Sequence, residues 1–193
     1  DWSTGQILQQ LKELKIEDHT LVIWLSDNGA PMAPDMNSPE RGTNRPLYGR
    51  GYTTSEGAFR SPTIMWCPGK VEPATTCAEL ATTMDLLPTF SRMSNPTAPT
   101  HAVDGHDITS LITGTSTARS PYESFYYYSR DQLQAVRSGP WKLFLPLESF
   151  DRHPHFRKGQ PARPLLFNVV EDISSTENVA AEHPDVVKQL TAY

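Results

Sequence analysis

The strongest constraint on what this chain can fold into is a short run, Thr20-Leu21-Val22-Ile23-Trp24-Leu25-Ser26-Asp27-Asn28-Gly29-Ala30. Residues 21–25 are apolar, show no alternation and are rich in β-branched and aromatic side chains. That pattern predicts a strand buried on both faces, as in a parallel sheet. The run stops abruptly at Asp27 and Asn28, two oxygen-bearing side chains, and Gly29 then frees the backbone to turn. Ligands of open α/β sheets bind at the carboxyl ends of the strands. A carboxylate buried there needs a cation or several donors to offset its desolvation. A hard divalent cation such as Ca²⁺ or Mg²⁺ suits two oxygen donors. The same residues also suit an Asx-type turn without a ligand, and the local pattern leaves both readings open.

The chain has 193 residues, enough for a domain with a substantial core. Its formal net charge is −5 and no basic block stands out, which argues against nucleic acid as a partner. The longest apolar runs, at 21–25 and 63–67, are far too short to span a bilayer. The chain opens on Asp1-Trp2 without a start methionine or a signal sequence, and it ends inside a segment that reads as a helix begun at His183-Pro184. Both features lead us to expect a piece of a longer protein. Cys67 and Cys77 stand on either side of a Pro68-Gly69 turn. A disulfide requires close Cα approach, so a bridge and two free thiols are both open.

Periodicity divides the chain into an α/β part over residues 1–121 and a small α+β part over 122–193. Ile7, Leu8, Leu11 and Leu14 place an apolar stripe on a helix over 3–15. A helix followed by the 21–25 strand is a unit that feeds a parallel sheet. Residues 30–58 lack any period and are rich in Pro, Gly, Asn, Thr and Arg, which predicts a long loop, either functional or disordered. A second strand is expected over 59–67 and a helix over 80–93, where Pro88 kinks it or marks a new first turn. Residues 94–121 read as connecting loop with a helical turn near 108–112. Four short strands, at 124–129, 133–137, 141–145 and 165–170, then predict an antiparallel sheet, with a hairpin at Ser138-Gly139-Pro140 and a closing helix from Pro184.

The loop holds Arg45, Arg50 and Arg60 among glycines and hydroxyls. Guanidinium groups on such a loop suit a tetrahedral oxyanion, because the fork donates in pairs. Arg50 lies between Gly49 and Gly51, which let backbone approach a ligand closely. The competing reading is a solvated loop whose arginines pair with Glu40 and Glu56. Glu56 itself reads as a buried structural carboxylate or helix-start cap. His101, His106, His153 and His155 read as surface residues; the alternative reading has the polar insertion 147–163 line a substrate mouth, with His153 and Arg157 as selectivity contacts.

Taken in order, several motifs resemble the carboxyl-terminal half of the sulfatase family. They are Ser26-Asp27-Asn28-Gly29, Gly42-Thr43-Asn44 with Pro46-Leu47, Thr53-Thr54-Ser55-Glu56-Gly57-Ala58-Phe59-Arg60-Ser61-Pro62, and Trp66-Cys67-Pro68-Gly69-Lys70. Downstream, Met84-Asp85-Leu86-Leu87-Pro88-Thr89, Asp104-Gly105-His106-Asp107, Leu133-Gln134-Ala135-Val136-Arg137, Gly139-Pro140-Trp141-Lys142-Leu143, Leu166-Phe167-Asn168, Glu171-Asp172, Glu177-Asn178 and His183-Pro184 continue the series. No single motif decides the matter; the ordered series does. The resemblance implies an alkaline-phosphatase-like α/β core fragment followed by the small antiparallel sheet and packed helix. It implies hydrolysis of sulfate esters, carried by small molecules or carbohydrates, in a secreted, periplasmic or lysosome-like compartment. It gives Asp27 and Asn28 to a Ca²⁺ ion, and Arg50 becomes the candidate sulfate contact only through a one-residue shift.

Two departures stand out. The family's formylglycine nucleophile arises within Cys/Ser-x-Pro-x-Arg, and no such motif occurs here. The nucleophile, the other metal-binding aspartates and a Lys/His set are therefore expected in an amino-terminal half of the same fold, and this segment alone is expected to be inactive. Counting back from Glu56, Gly51 stands where the family has a sulfate-binding lysine, with Arg50 one step further. A phosphoester hydrolase of the same superfamily and a non-catalytic truncated homologue remain the alternatives.

Overall fold

The computed structural model describes residues 1–31, 42–94 and 101–193. The chain divides into two compact units, one of Asp1–Leu25 with Thr63–Tyr122 and one of Ser26–Pro62 with Glu123–Tyr193.

The first unit holds helix α1 (Trp2–Glu13), strand β1 (Val22–Leu25), strand β2 (Thr63–Trp66), helix α3 (Leu86–Ser94) and the short helix α4 (Thr109–Ile112). Helix α1 forms where expected, but of its predicted stripe only Leu8 and Leu11 are half-buried, while Ile7 and Leu14 are exposed. Pro88 falls in the first turn of α3, where its missing N–H is no loss. The expected 80–93 helix thus starts later, after a 3-10 turn over Thr83–Asp85. A small core forms from Ile108, Leu111 and Ile112, packed by Leu21, Met65, Val71 and Ala118. Asp85 and Thr89, both wholly buried, clamp the segment after Gly105. Asp85 Oδ1 accepts the His106 N–H at 2.8 Å, and Thr89 Oγ1 accepts the Ile108 N–H at 3.0 Å. Both cysteines are free thiols, Cys67 buried and Cys77 exposed.

One expectation is corrected. Strand β1 was expected to be a parallel strand covered on both faces. Among the described residues its partner is β2, and the pairing is antiparallel, with Trp24 opposite Ile64. A parallel neighbour needs a crossover that returns the chain to the same end, whereas β2 enters in the opposite sense. Trp24 and Ile64 share one face and remain 48% and 62% exposed. The absence of alternation in residues 21–25 therefore does not reflect burial of both faces among the described residues.

The second unit is built on a four-stranded antiparallel meander, β3 (Phe125–Ser129), β4 (Gln132–Ser138), β5 (Trp141–Phe144) and β6 (Leu165–Asn168), ordered β3-β4-β5-β6. It also holds the one-turn helix α2 (Glu56–Phe59) and helix α5 (Pro184–Thr191). Alternation sends Val136, Leu143 and Leu166 to one face, under Val186, Val187 and Leu190 of α5. Tyr127, Ala135, Phe144, Leu165 and Phe167 go to the other, under Phe150 and Phe156 of the insertion. Both faces are covered, so the sheet is the core of its unit. The β3–β4 ladder slips at one point: Tyr127 faces Ala135 while Tyr128 faces Leu133, leaving Gln134 as an extra residue. A bulge of this kind re-aims a side chain.

Leu166 is wholly buried and Ile64 lies open. We expect Leu166→Ala to lower the stability of the protein by about 3 kcal/mol, and Ile64→Ser to change it by less than about 0.5 kcal/mol. Urea unfolding midpoints followed by circular dichroism check both.

Candidate functional site

The site begins at a buried carboxylate. Glu56 opens α2, and its side chain lies over the second face of the meander, 2% exposed. Register brings Arg137 of β4 opposite Lys142 of β5 on that face. Lys142 Nζ donates to Glu56 Oε1 at 2.8 Å and to the Thr54 carbonyl at 2.8 Å, and it lies 3.6 Å from the Tyr127 ring centre. Arg137 Nη1 donates to Glu56 Oε2 at 3.4 Å. Arg60 stands 3.8 Å from the same oxygen. Burial by itself raises the Glu56 pKa, but Lys142, Arg137 and Arg60 together outweigh it and hold the carboxyl below its ordinary value. Burial pushes the Lys142 amine down to about 8 against the pull of Glu56. Next to this cluster the bulged Gln134 accepts the Thr54 hydroxyl at 2.8 Å and donates to the Arg152 carbonyl at 2.7 Å.

The loop that follows Asn28 is tied to α2 by its backbone. Gly29 N–H donates to the Ala58 carbonyl at 2.9 Å, Gly57 N–H to the Tyr48 carbonyl at 2.8 Å, and Gly51 N–H to the Ala30 carbonyl at 3.0 Å. The Asn44 side chain closes the system, accepting the Ala30 N–H at 2.7 Å and donating to the Ala30 and Gly49 carbonyls. Gly29 is needed for proximity rather than for turning. A Cβ built on it would stand 1.7 Å from the Gly57 carbonyl oxygen.

These bonds gather the sequence candidates. Asp27 and Asn28 lie immediately before Gly29 on an exposed turn, with Ser26 Oγ donating to the Asn28 carbonyl. Neither side chain has a partner among the described residues. Arg50 is half-buried and precedes Gly51, the residue that bonds Ala30. Its N–H donates to Ser55 Oγ and its carbonyl accepts the Thr53 hydroxyl at 2.7 Å. A cavity of about 480 Å³ is lined by Arg45 and Arg50 together with Ala30, Asn44, Ser174 and Thr176. Neither Arg45 nor Arg50 pairs with Glu56; Glu40 lies outside the described residues. The donor chemistry of Asp27 and Asn28 fits a hard cation, because both offer oxygen and neither oxygen is engaged. It is a partial set: Ca²⁺ takes 6–8 oxygen ligands, and among the described residues no group of three or more His, Cys, Asp or Glu is placed to hold a metal.

The histidines of the insertion are not on the surface. His153 is 7% exposed, and its Nδ1 accepts the N–H groups of His155 and Phe156 at 3.2 and 3.1 Å. The His155 ring is stacked between Tyr48, at 4.5 Å, and Phe167, at 4.7 Å. The Nε2 atoms of both are buried without a hydrogen-bond partner among the described residues. Burial lowers the pKa of His153 to about 4 and of His155 to about 3, the latter with help from His153, Lys142 and Arg157. His153 is thus enclosed in the unit, whereas Arg157 is exposed and its Nη1 donates to the Phe156 carbonyl at 3.4 Å. The insertion residues that line a second cavity, of about 490 Å³, include His155, Gln160 and Arg163. The two cavities share Thr176.

Known proteins resemble this chain in sequence and fold. The family model described as "Sulfatase" matches residues 1–96, and "C-terminal region of aryl-sulfatase" matches residues 120–193. Arylsulfatase A of Homo sapiens is 30% identical over 98% of this chain and 40% of its own length. Steryl-sulfatase of Rattus norvegicus is 32% identical over the whole chain and 38% of its own length. The crystal structure of the sulfatase PsFucS1 from Pseudoalteromonas sp. superposes with a TM-score of 0.80 at 24% identity, over 98% of this chain and 38% of that one. The chain belongs to the sulfatase family and has the alkaline-phosphatase-like fold. It is homologous to the carboxyl-terminal region of sulfate ester hydrolases and spans about 40% of the length of these relatives. No helix among the described residues is long and apolar enough to cross a membrane.

Two measurements test the geometry. Gly29→Ala must drive the Asn28 turn away from α2, so we expect a loss of about 2 kcal/mol or more in stability, read by thermal unfolding. For His155, the folded state keeps the ring neutral to about pH 3, whereas the unfolded chain takes up a proton near pH 6.5. Its contribution is therefore intact above pH 6.5 and is lost as the pH falls below that value. His155→Phe keeps the stack and removes the titration, so the fall in urea midpoint between pH 6.5 and 4 should become shallower.

Proposed function

We propose that this chain works as the carboxyl-terminal part of a sulfatase that cleaves a sulfate ester of a small molecule or carbohydrate. The observation that carries the reading is the Gly29–Ala58 and Gly51–Ala30 bonding, which puts the Asp27-Asn28 turn and Arg50 into one backbone system. In this reading Asp27 and Asn28 give oxygen ligands to Ca²⁺. The cation supplies positive charge for the sulfate oxygens when bound. Arg50 donates guanidinium N–H groups to the same sulfate, in place of a lysine, with a planar fork instead of a point charge. The rest of the ester occupies the cavity beside Arg45 and Arg50. The nucleophile, expected as formylglycine, and the remaining ligands come from an amino-terminal half of the fold. A secreted, periplasmic or lysosome-like compartment belongs to the same proposal.

In the complete enzyme, Arg50→Ala should lower kcat/KM for an aryl sulfate by about 100-fold or more, with Arg50→Lys retaining part of the activity. Asp27→Ala should abolish Ca²⁺ uptake in calorimetric titration. The isolated chain should not turn over aryl sulfate; turnover by it alone, or faster cleavage of the aryl phosphate by the complete enzyme, defeats the proposal.

A further inference from the structure

Lys142 is wholly buried, and the sulfatase reading above gives it no task. Its amine faces Glu56 of α2, Arg137 of β4 and the Tyr127 ring of β3. His155 of the insertion and Arg60, through Glu56, complete its charged surroundings. It does more than neutralise a carboxylate, a task it shares with Arg137 and Arg60. It also takes the Thr54 carbonyl. Thr54 in turn is held by Gln134 at its hydroxyl. The segment between Arg50 and Gly57 is thus gripped from the sheet at two consecutive points, Thr54 and Glu56. The same segment bonds outward: Ser55 Oγ receives the Arg50 N–H, and Gly57 N–H reaches Tyr48.

We infer that Lys142 is a positioning residue for the proposed sulfate site: its amine, divided between the Thr54 carbonyl and the Glu56 carboxylate, fixes the Arg50 loop relative to the Asp27-Asn28 turn. This rests on the reading that the turn and the loop form that site. A charged amine satisfies both acceptors at once. A neutral amine keeps donors but gives up the charge pairing with Glu56, so the loop loosens at alkaline pH. The change is local. A buried lysine releases its proton more readily in the fold than in the unfolded chain, so global stability does not fall over that window. Loss of site function without loss of stability is therefore its signature.

The test uses the full-length enzyme. In Lys142→Met, hydrogen exchange at residues 47–58 and 28–31 should rise by about 10-fold or more, while the strands of the meander stay protected. The activity profile of the wild type on an aryl sulfate should fall on the alkaline side near pH 8, mainly in kcat/KM, with no fall in melting temperature. Lys142→Arg should move that limb to higher pH. Glu56→Gln, which removes the opposing charge, should move it about one pH unit or more to lower pH, and this variant serves if the larger arginine fails to fit. Unchanged exchange in a folded Lys142→Met protein, or an alkaline limb that neither substitution moves, overturns the inference. Increased exchange with undiminished activity preserves the positioning role and instead removes the loop from the sulfate site.

Discussion

Glu56 is the carboxylate on which the second unit depends. Taking such a group out of water costs several kcal/mol, and an attractive partner offsets that only with good geometry and further hydrogen bonds. Here the geometry comes from the sheet. Antiparallel register sets Arg137 against Lys142, and alternation turns both to the face that receives α2. Glu56 can therefore be buried only after β4 and β5 have paired. The Asp27-Asn28 turn and the segment around Arg50 are tied to α2, which is held by a sheet formed by residues 125–168, far away in the sequence. Breaking one member of such a cluster typically costs about 3–5 kcal/mol, because the others are left charged and dry.

Much of the second unit was legible from pattern. Four short strands, the hairpin at Gly139 and the helix from Pro184 all fall where alternation and turn chemistry put them. Glu56 was readable as a structural carboxylate because it opens a turn after Thr54-Ser55. Its partners were not. Lys142 lies inside a run that correctly reads as a strand, but a strand pattern says only that residue 142 shares a face with Phe144. It does not say that a carboxylate 86 positions earlier will land there. Gln134 was hidden for a similar reason. A bulge needs the partner strand for its definition, and only the slip between Tyr127 and Tyr128 shows that Gln134 is re-aimed.

The first unit was harder to read. Residues 21–25 carry the composition of a doubly covered strand, yet the pairing found is antiparallel and one face is open at Trp24 and Ile64. Composition reports how apolar a strand is, not which strand comes beside it or in which direction. Gly29 teaches the same point at one residue. A glycine after Asp-Asn suggests freedom to turn, but the space beside it is what matters, and the Gly57 carbonyl fills that space.

Environment separates the two acidic residues that the family resemblance places near the site. Glu56 is buried, and its charge is balanced by three cations of the chain itself. Nothing is left over for it to bind. Asp27 lies two residues before the point where the turn docks on α2, is exposed, and has no partner among the described residues. The backbone beside Asp27 is tied to α2 at Gly29, while the Asp27 carboxylate is unengaged among the described residues, so part of the ordering cost of a ligand site is already met. Among the described residues, no ion pair would have to break for a hard cation to reach Asp27 and Asn28. The balanced carboxylate builds the frame and the unbalanced one is free to act, which is why the metal proposal rests on Asp27 and not on Glu56.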